Sequence, residues 1–352
     1  MRNLREFTRI AIIQTAFIGD VALVFHLVQA IRDLHDKAHI TLVTTPAGAS
    51  LATCIPALDT IIAYDKRGSR RGWKGIRSLA AELRPHADCI LAPHRSLRTT
   101  LLAVLSGASY SVGYDRSALS FLYRRRVPYP FHLHEAERNL ALLTPFADVP
   151  PNVISHPSSP VVNIPERVGH RVNMLLGETG IQTEKPLLVL APGSIWPTKR
   201  WPEEYAASAA AVLRERGWNV VLSGSRDDEE LCNRIAARSG VVSLAGKTGL
   251  PETLALLQQA DILVSNDSAP THLANLVHCP VITIFGPTSP MFGFAPRGGN
   301  DRVVEVQLEC KPCSIHGQKE CPLGTHACMR TIYPDRIVQE VAEVMEHIRK
   351  MI

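Results

Sequence analysis

The residues best suited to chemistry lie in Asp261–Pro290. A strand-like run, Ile262–Val264, leads into a short polar loop, a helix over Thr271–Val277 and a further strand over Val281–Phe285. A helix that begins directly after a strand has free N–H groups and a dipole that favours an anion, so this turn can hold a phosphate. Asp267 in the same loop would repel a phosphate and suits sugar hydroxyls instead. The loop fits a ligand that carries both groups, such as a nucleotide sugar.

Other residues of the right type stand at comparable places. Asp20 follows the first apolar strand and Gly19, at the start of a helix. It has two readings: a carboxylate of the first helical turn, or a general base projecting from that turn. The segment Ala191–Pro202, APGSIWPTKRWP, also follows a strand. Gly193 and Ser194 leave its backbone accessible, and Lys199 and Arg200 bring positive charge. A lysine here could neutralise a pyrophosphate leaving group, or could be a surface lysine in a proline-rich loop. Asp227–Glu230 offers acids for ribose hydroxyls, although acids also suit a helix N-terminus. Gly240–Thr248, GVVSLAGKT, imitates a phosphate loop. Five residues separate its glycines where four are required, so a loop lining a nucleotide base is the better reading.

Cys310, Cys313, Cys321 and Cys328 follow the pattern C-x2-C-x7-C-x6-C. Four thiols so close together could hold a structural zinc ion, or could stay reduced in an irregular loop. Cys54, Cys89, Cys232 and Cys279 stand in apolar contexts and read as core residues.

The elements needed to position these residues are legible as apolar runs. Strands are expected at Arg9–Gln14, His39–Thr44, Thr60–Tyr64, Cys89–Ala92 and Tyr110–Gly113. Helices alternate with them at Asp20–Leu34, Lys74–Leu83 and Ser96–Ser106, and a further helix follows at Glu135–Pro145. Such alternation predicts a parallel, doubly wound sheet. Residues 148–165 are proline-rich and aperiodic, as a linker is. A second series then runs from Glu166 through strands at Leu187–Leu190, Asn219–Leu222 and Val241–Leu244 to the opening segment, and a helix closes the chain at Pro334–Lys350. We expect two α/β domains, 1–165 and 166–333, facing a cleft at their strand C-terminal edges, with the helix 334–352 packing back near the first domain.

The composition is that of a globular enzyme: 352 residues, 45% hydrophobic and 20% charged. There is no transmembrane-length apolar run and no signal-peptide cleavage pattern, so the chain is expected to be cytoplasmic. The net charge of +5 is uneven, with +7 in residues 1–165 and −2 in the rest. The basic half calls for an anionic partner: a membrane surface or a phosphorylated acceptor rather than nucleic acid, since aromatics are 6% and no nucleic-acid motif is present.

Gly19-Asp20, PGSIWPTKRWP, SLAGKTGLPE, SNDSAPTHLAN and IFGPTSP, taken in order, resemble the ADP-heptose:lipopolysaccharide heptosyltransferases of glycosyltransferase family 9. The resemblance covers nearly the whole chain. The segment CKPCSIHGQKECPLGTHACM looks like the heptosyltransferase II branch. His26, where a proline is common, and Thr271, where serine is frequent, depart from the pattern without touching the chemistry.

The resemblance implies the GT-B fold, two Rossmann-like domains, and an inverting glycosyltransferase. The first domain would take an anionic lipopolysaccharide inner-core acceptor and the second the ADP-heptose donor. It implies Asp20 as base, Lys199 on the donor diphosphate, Ser194 near the phosphates and Asp267 on the donor sugar. Ser268, Ala269 and His272 complete the phosphate loop, and Asp227 is the ribose-binding acid. Arg70, Arg71, Arg95, Arg98 and Arg124–Arg126 are acceptor candidates on charge alone. In this scheme lysine and a helix dipole take the place of a catalytic metal, so no cofactor is called for beyond the zinc reading above. The protein would work in the cytoplasm, with peripheral contact at the inner membrane. The alternatives are heptosyltransferase I or III, another nucleotide-sugar transferase, or a non-catalytic nucleotide-sugar binding protein.

Overall fold

The computed structural model describes residues 2–181 and 184–351 and divides into two units, Met1–Asn163 and Ile164–Ile352. In the first unit the strands are β1 Arg9–Ile13, β2 His39–Thr44, β3 Thr60–Ala63, β4 Cys89–Ala92, β5 Tyr110–Tyr114 and β6 Arg125–Val127. Its helices are α1 Ile18–Leu34, α2 Pro46–Ala52, α3 Gly72–Leu83, α4 Leu97–Leu105, α5 Glu135–Ala141 and the single turn α6 Asn152–Ser155. The second unit opens with α7 Glu166–Glu178. It continues through β7 Leu187–Ala191, α8 Glu203–Glu215, β8 Asn219–Leu222, α9 Glu229–Ser239, β9 Val242–Ser243, α10 Leu250–Gln259 and β10 Ile262–Asn266. It ends with α11 Ala269–Leu276, β11 Val281–Phe285, β12 Arg302–Glu305, α12 Ala327–Arg330 and α13 Pro334–Met351.

All strand pairings are parallel. The first sheet has the order β3-β2-β1-β4-β5-β6 and the second β12-β11-β10-β7-β8-β9. Counted from its own first strand, each sheet is ordered 3-2-1-4-5-6, the Rossmann order. The order therefore reverses between β1 and β4, and again between β7 and β10. Ligands of such sheets bind outside the strand C-termini at the reversal. The loops after these four strands are where function should concentrate.

The elements follow from the side chains. β4, β5, β7, β10 and β11 are buried at every residue, as strands covered on both faces must be. The apolar content of α1 nearly encircles it, and from Val21 to Ile31 every residue except His26 is buried. It packs against α5, while α3 and α4 cover a sheet face with Ala11, Ile13, Val43 and Ile90.

The terminal helix belongs to the second unit. Its stripe of Ile337, Val338, Val341 and Val344 is buried in the core of the second unit with α8 and β10, because those apolar positions need a sheet face to cover. The expected end of that helix, residue 352, lies outside the described residues. The proline-rich stretch is not a free tether: Val161 N–H donates to Gln29 Oε1 at 3.1 Å and Asn163 N–H to the Cys54 carbonyl at 2.8 Å. Arg125 and Arg126 lie in the edge strand β6, exposed. No helix among the described residues is long and apolar enough to cross a membrane.

Candidate active site

In the second unit the reversal point is built by Asn266, the last residue of β10. Its buried side chain accepts from Trp201 N–H at 3.1 Å and donates to the Pro192 carbonyl at 2.8 Å. One amide thereby pins both ends of the loop after β7 to the neighbouring strand. Gly193 is needed inside that loop because the Asp228 carboxylate lies against it; a Cβ there would fall 2.3 Å from Asp228 Oδ1.

The pinned loop carries Lys199 inward. Lys199 is 9% exposed, and its Nζ donates to Asp267 Oδ2 at 2.6 Å and to the Asp267 carbonyl at 3.1 Å. Thr288 Oγ1 donates to the same Oδ2 at 2.7 Å. With Oδ2 carrying two donors, Oδ1 is the oxygen left to accept a ligand hydroxyl. Ser268 caps α11. At that helix N-terminus Pro270 has no N–H and Thr271 N–H bonds the Ser268 carbonyl at 3.2 Å, which leaves the Ser268 and Ala269 N–H groups for an anion. Ser194 is buried, and its Oγ accepts from Trp196 N–H at 3.3 Å. His272 is buried in α11, its ring 6.3 Å from that of Phe294.

Asp227 is exposed in a 3-10 turn. The acid that the fold turns toward the loop after β7 is Asp228, and its Oδ2 is occupied by Ser225 N–H at 3.0 Å and Ser225 Oγ at 2.7 Å. Lys199 is likewise not a loose cation at a loop tip but one half of a buried ion pair.

In the first unit Asp20 is the third residue of α1. Its Oδ2 accepts from Phe17 N–H at 3.2 Å, so the capping role is real. The carboxyl is half-buried and its pKa is pushed up to about 7, first by burial and then by the negative charge of Glu135, against the opposing pull of the Phe17 N–H and of Arg95. A carboxyl poised there can serve as a base near neutral pH. Glu135 is buried, with Arg138 Nη1 at 3.0 Å and the Tyr129 hydroxyl donating to it at 3.3 Å. Burial raises its own pKa, against the pull of Arg138.

Across the reversal, the loop after β4 presents His94. Its Nδ1 lies 3.0 Å from Thr15 Oγ1 and 3.4 Å from Thr99 Oγ1. Burial, then Lys66 and Arg95, lower its pKa to about 4, so the ring is neutral at pH 7. Lys66 Nζ donates to the Thr15 carbonyl. The Arg95 guanidinium lies 4.0 Å over the Tyr129 ring.

Of the expected acceptor residues, Arg95 joins Asp20, and Arg98 is an exposed cation that adds to burial and to Arg67 in lowering the pKa of Lys66. Arg70 is held by Glu82 at 2.7 Å, a partner that its sequence context does not reveal, and Arg71 is exposed at the N-cap of α3. His94, Lys66 and Glu135 are the residues that sequence reasoning missed. His94 and Lys66 shared a usable signal, a polar residue two positions past an apolar run, Cys89–Ala92 and Thr60–Tyr64 respectively. Glu135 had none.

Residues 76–324 match glycosyltransferase family 9 (heptosyltransferase). Lipooligosaccharide heptosyltransferase 2 of Haemophilus ducreyi is 23% identical over 352 residues, 96% of this chain and 99% of that protein. The enzyme of the same name from Campylobacter jejuni is 28% identical over 170 residues, a match spanning 47% of this chain and 53% of its own length. The solved structure of E. coli ADP-heptose lps heptosyltransferase II superposes with a TM-score of 0.79 at 23% identity, covering 97% of this chain and 99% of that one, a likeness of fold.

Proposed function

This chain belongs to glycosyltransferase family 9, the heptosyltransferases, and from that premise we propose that it transfers L-glycero-D-manno-heptose from ADP-heptose to the inner core of lipopolysaccharide, adding the second heptose with inversion. The observation that carries the mechanism is the Asp20 carboxyl, raised to about 7 at the sheet reversal of the first unit. Ionised Asp20 takes the proton from an acceptor hydroxyl as that oxygen attacks the anomeric carbon. The bond from that carbon to the diphosphate oxygen breaks on the opposite side, and negative charge builds on ADP.

Lys199 and the Ser268 and Ala269 N–H groups supply the positive end for that charge, fixed before the reaction and so at little reorganisation cost. Asp267 Oδ1 orients the heptose. Neutral His94 offers a hydrogen bond to the acceptor, and Arg95 and Arg98 meet its anionic groups. Trp73 and Phe121, 53% and 69% exposed among basic residues of the first unit, support peripheral contact with an anionic bilayer.

The test supplies ADP-heptose with lipopolysaccharide cores that carry no heptose or one heptose. Transfer to the one-heptose core, with the product anomer inverted relative to the donor, is the expected outcome. Preferred transfer to the heptose-free core would assign the first addition instead. ADP binding without transfer to any core would refute a catalytic role.

A further inference from the structure

Residues 306–326 run without a helix or strand, and Gly317 is the one residue among them that is buried. Val306 and Leu308 at its start pack against the core of the second unit, but beyond them Ile315 and Leu323 are 51% and 64% exposed. Irregular loops of such length inside a compact domain are uncommon and need something to hold them. What this one turns inward is sulfur. Cys310, Cys313, Cys321 and Cys328 line a single cavity of ≈ 20 Å³, with Thr198 and His326 in its wall. That is room for about one water-sized body, too small for an organic ligand.

All four cysteines are reduced thiols. The His326 N–H donates to Cys321 Sγ at 3.4 Å, the kind of outer contact that orients a metal-bound sulfur. Four thiolates around one point are the donor set for tetrahedral zinc. Among the described residues no three such side chains stand at metal-ligand distances, so binding draws the thiols inward across the cavity.

The same segment grips the turn that carries Lys199. Thr198 N–H and Oγ1 both donate to the Gln318 carbonyl, at 3.3 and 2.9 Å, and Gln318 N–H returns a bond to Thr198 Oγ1 at 2.8 Å. His326 Nε2–H donates to the Thr198 carbonyl at 2.7 Å. Gly317, at φ +89°, lies so close that a Cβ would stand 2.8 Å from Trp196 Cβ and 3.1 Å from Lys199 Cγ. We propose that Cys310, Cys313, Cys321 and Cys328 bind one zinc ion, and that the stapled segment acts through Thr198 as a clamp that positions Lys199 against Asp267. The clamp half rests on reading Lys199 as a ligand of the donor diphosphate; the zinc half does not.

The full-length protein, purified without chelator, should carry one zinc per chain by elemental mass spectrometry. Mercurial titration of its thiols should release that zinc to an indicator dye. The Cys310→Ser, Cys313→Ser double variant should be zinc-free, and the titration of the wild-type protein decides the matter if that variant fails to fold. Absence of any metal overturns the site, and iron in its place overturns the choice of ion.

For the clamp, Thr198→Val should keep its zinc and bind ADP about tenfold more weakly. Thr198→Ser, which keeps the hydroxyl, should bind ADP as the wild type does. ADP affinity unchanged in Thr198→Val overturns the clamp. Zinc-loaded wild-type protein that binds no ADP at all would refute the donor-site reading, and the clamp with it, but not the zinc site.

Discussion

Asp20→Asn should make the protein inactive and, at alkaline pH, more stable. Asparagine keeps an oxygen for the Phe17 N–H but can neither ionise nor take a proton. The folded carboxyl is raised from 3.8 to about 7, so folding favours its protonated form. The cost of ionising it is absent below 3.8, grows as pH rises and is complete above about 7. At about 1.4 kcal/mol per pH unit the displacement is worth roughly 4 kcal/mol. The carboxyl is only half-buried, so solvent screening reduces this to about 1–3 kcal/mol. Urea unfolding should therefore show the variant ahead of wild type by that amount at pH 8 and level with it near pH 4. Transfer should fall by at least about 100-fold, while calorimetry finds ADP binding unchanged. Wild-type turnover should rise with pH through about 7, as the base ionises. Near-normal turnover in the variant refutes the base. Equal stability at pH 8 refutes the argument from burial.

Glu135→Gln removes the negative charge that helps to raise Asp20, so the acid limb of the pH–rate profile should move to lower pH. It also leaves Arg138 buried without its carboxylate, and denaturation should show a loss of about 3–5 kcal/mol. Asn266→Ala deprives the Trp201 N–H and the Pro192 carbonyl of their partner; a stability loss of about 2–4 kcal/mol and weaker ADP binding are expected from denaturation and calorimetry. His94 prefers to be neutral in the fold, so its contribution is full above 6.5 and is lost as pH falls toward about 4. His94→Gln should lose less stability than wild type over that interval in paired urea titrations.

Much of the architecture was legible because it is local. The apolar runs at His39–Thr44, Cys89–Ala92, Asn219–Leu222 and Val281–Phe285 are strands with those same bounds. The edge strands β6 and β12 escaped notice because edge strands are short and charged; RRV and RVVE carry no apolar run to recognise. The α13 stripe was visible as a helix, but which sheet face it covers depends on what else is left uncovered.

The sequence by itself determined that parallel sheets recur along the chain, and that Asp20, Lys199 and Asp267 each stand just after a strand or at the head of a helix, where ligands bind. Tertiary structure decided their relations. Lys199 and Asp267 form a buried pair because β7 and β10 are neighbours, and Asn266 pins the loop between them. Asp20 is raised first by its burial in the fold and then because α5, far along the chain, brings Glu135 to it. His94 meets Thr15 because β4 lies beside β1. Side-chain periodicity is written residue by residue, whereas strand order is settled by non-local packing, and it is strand order that converts separate polar loops into a site.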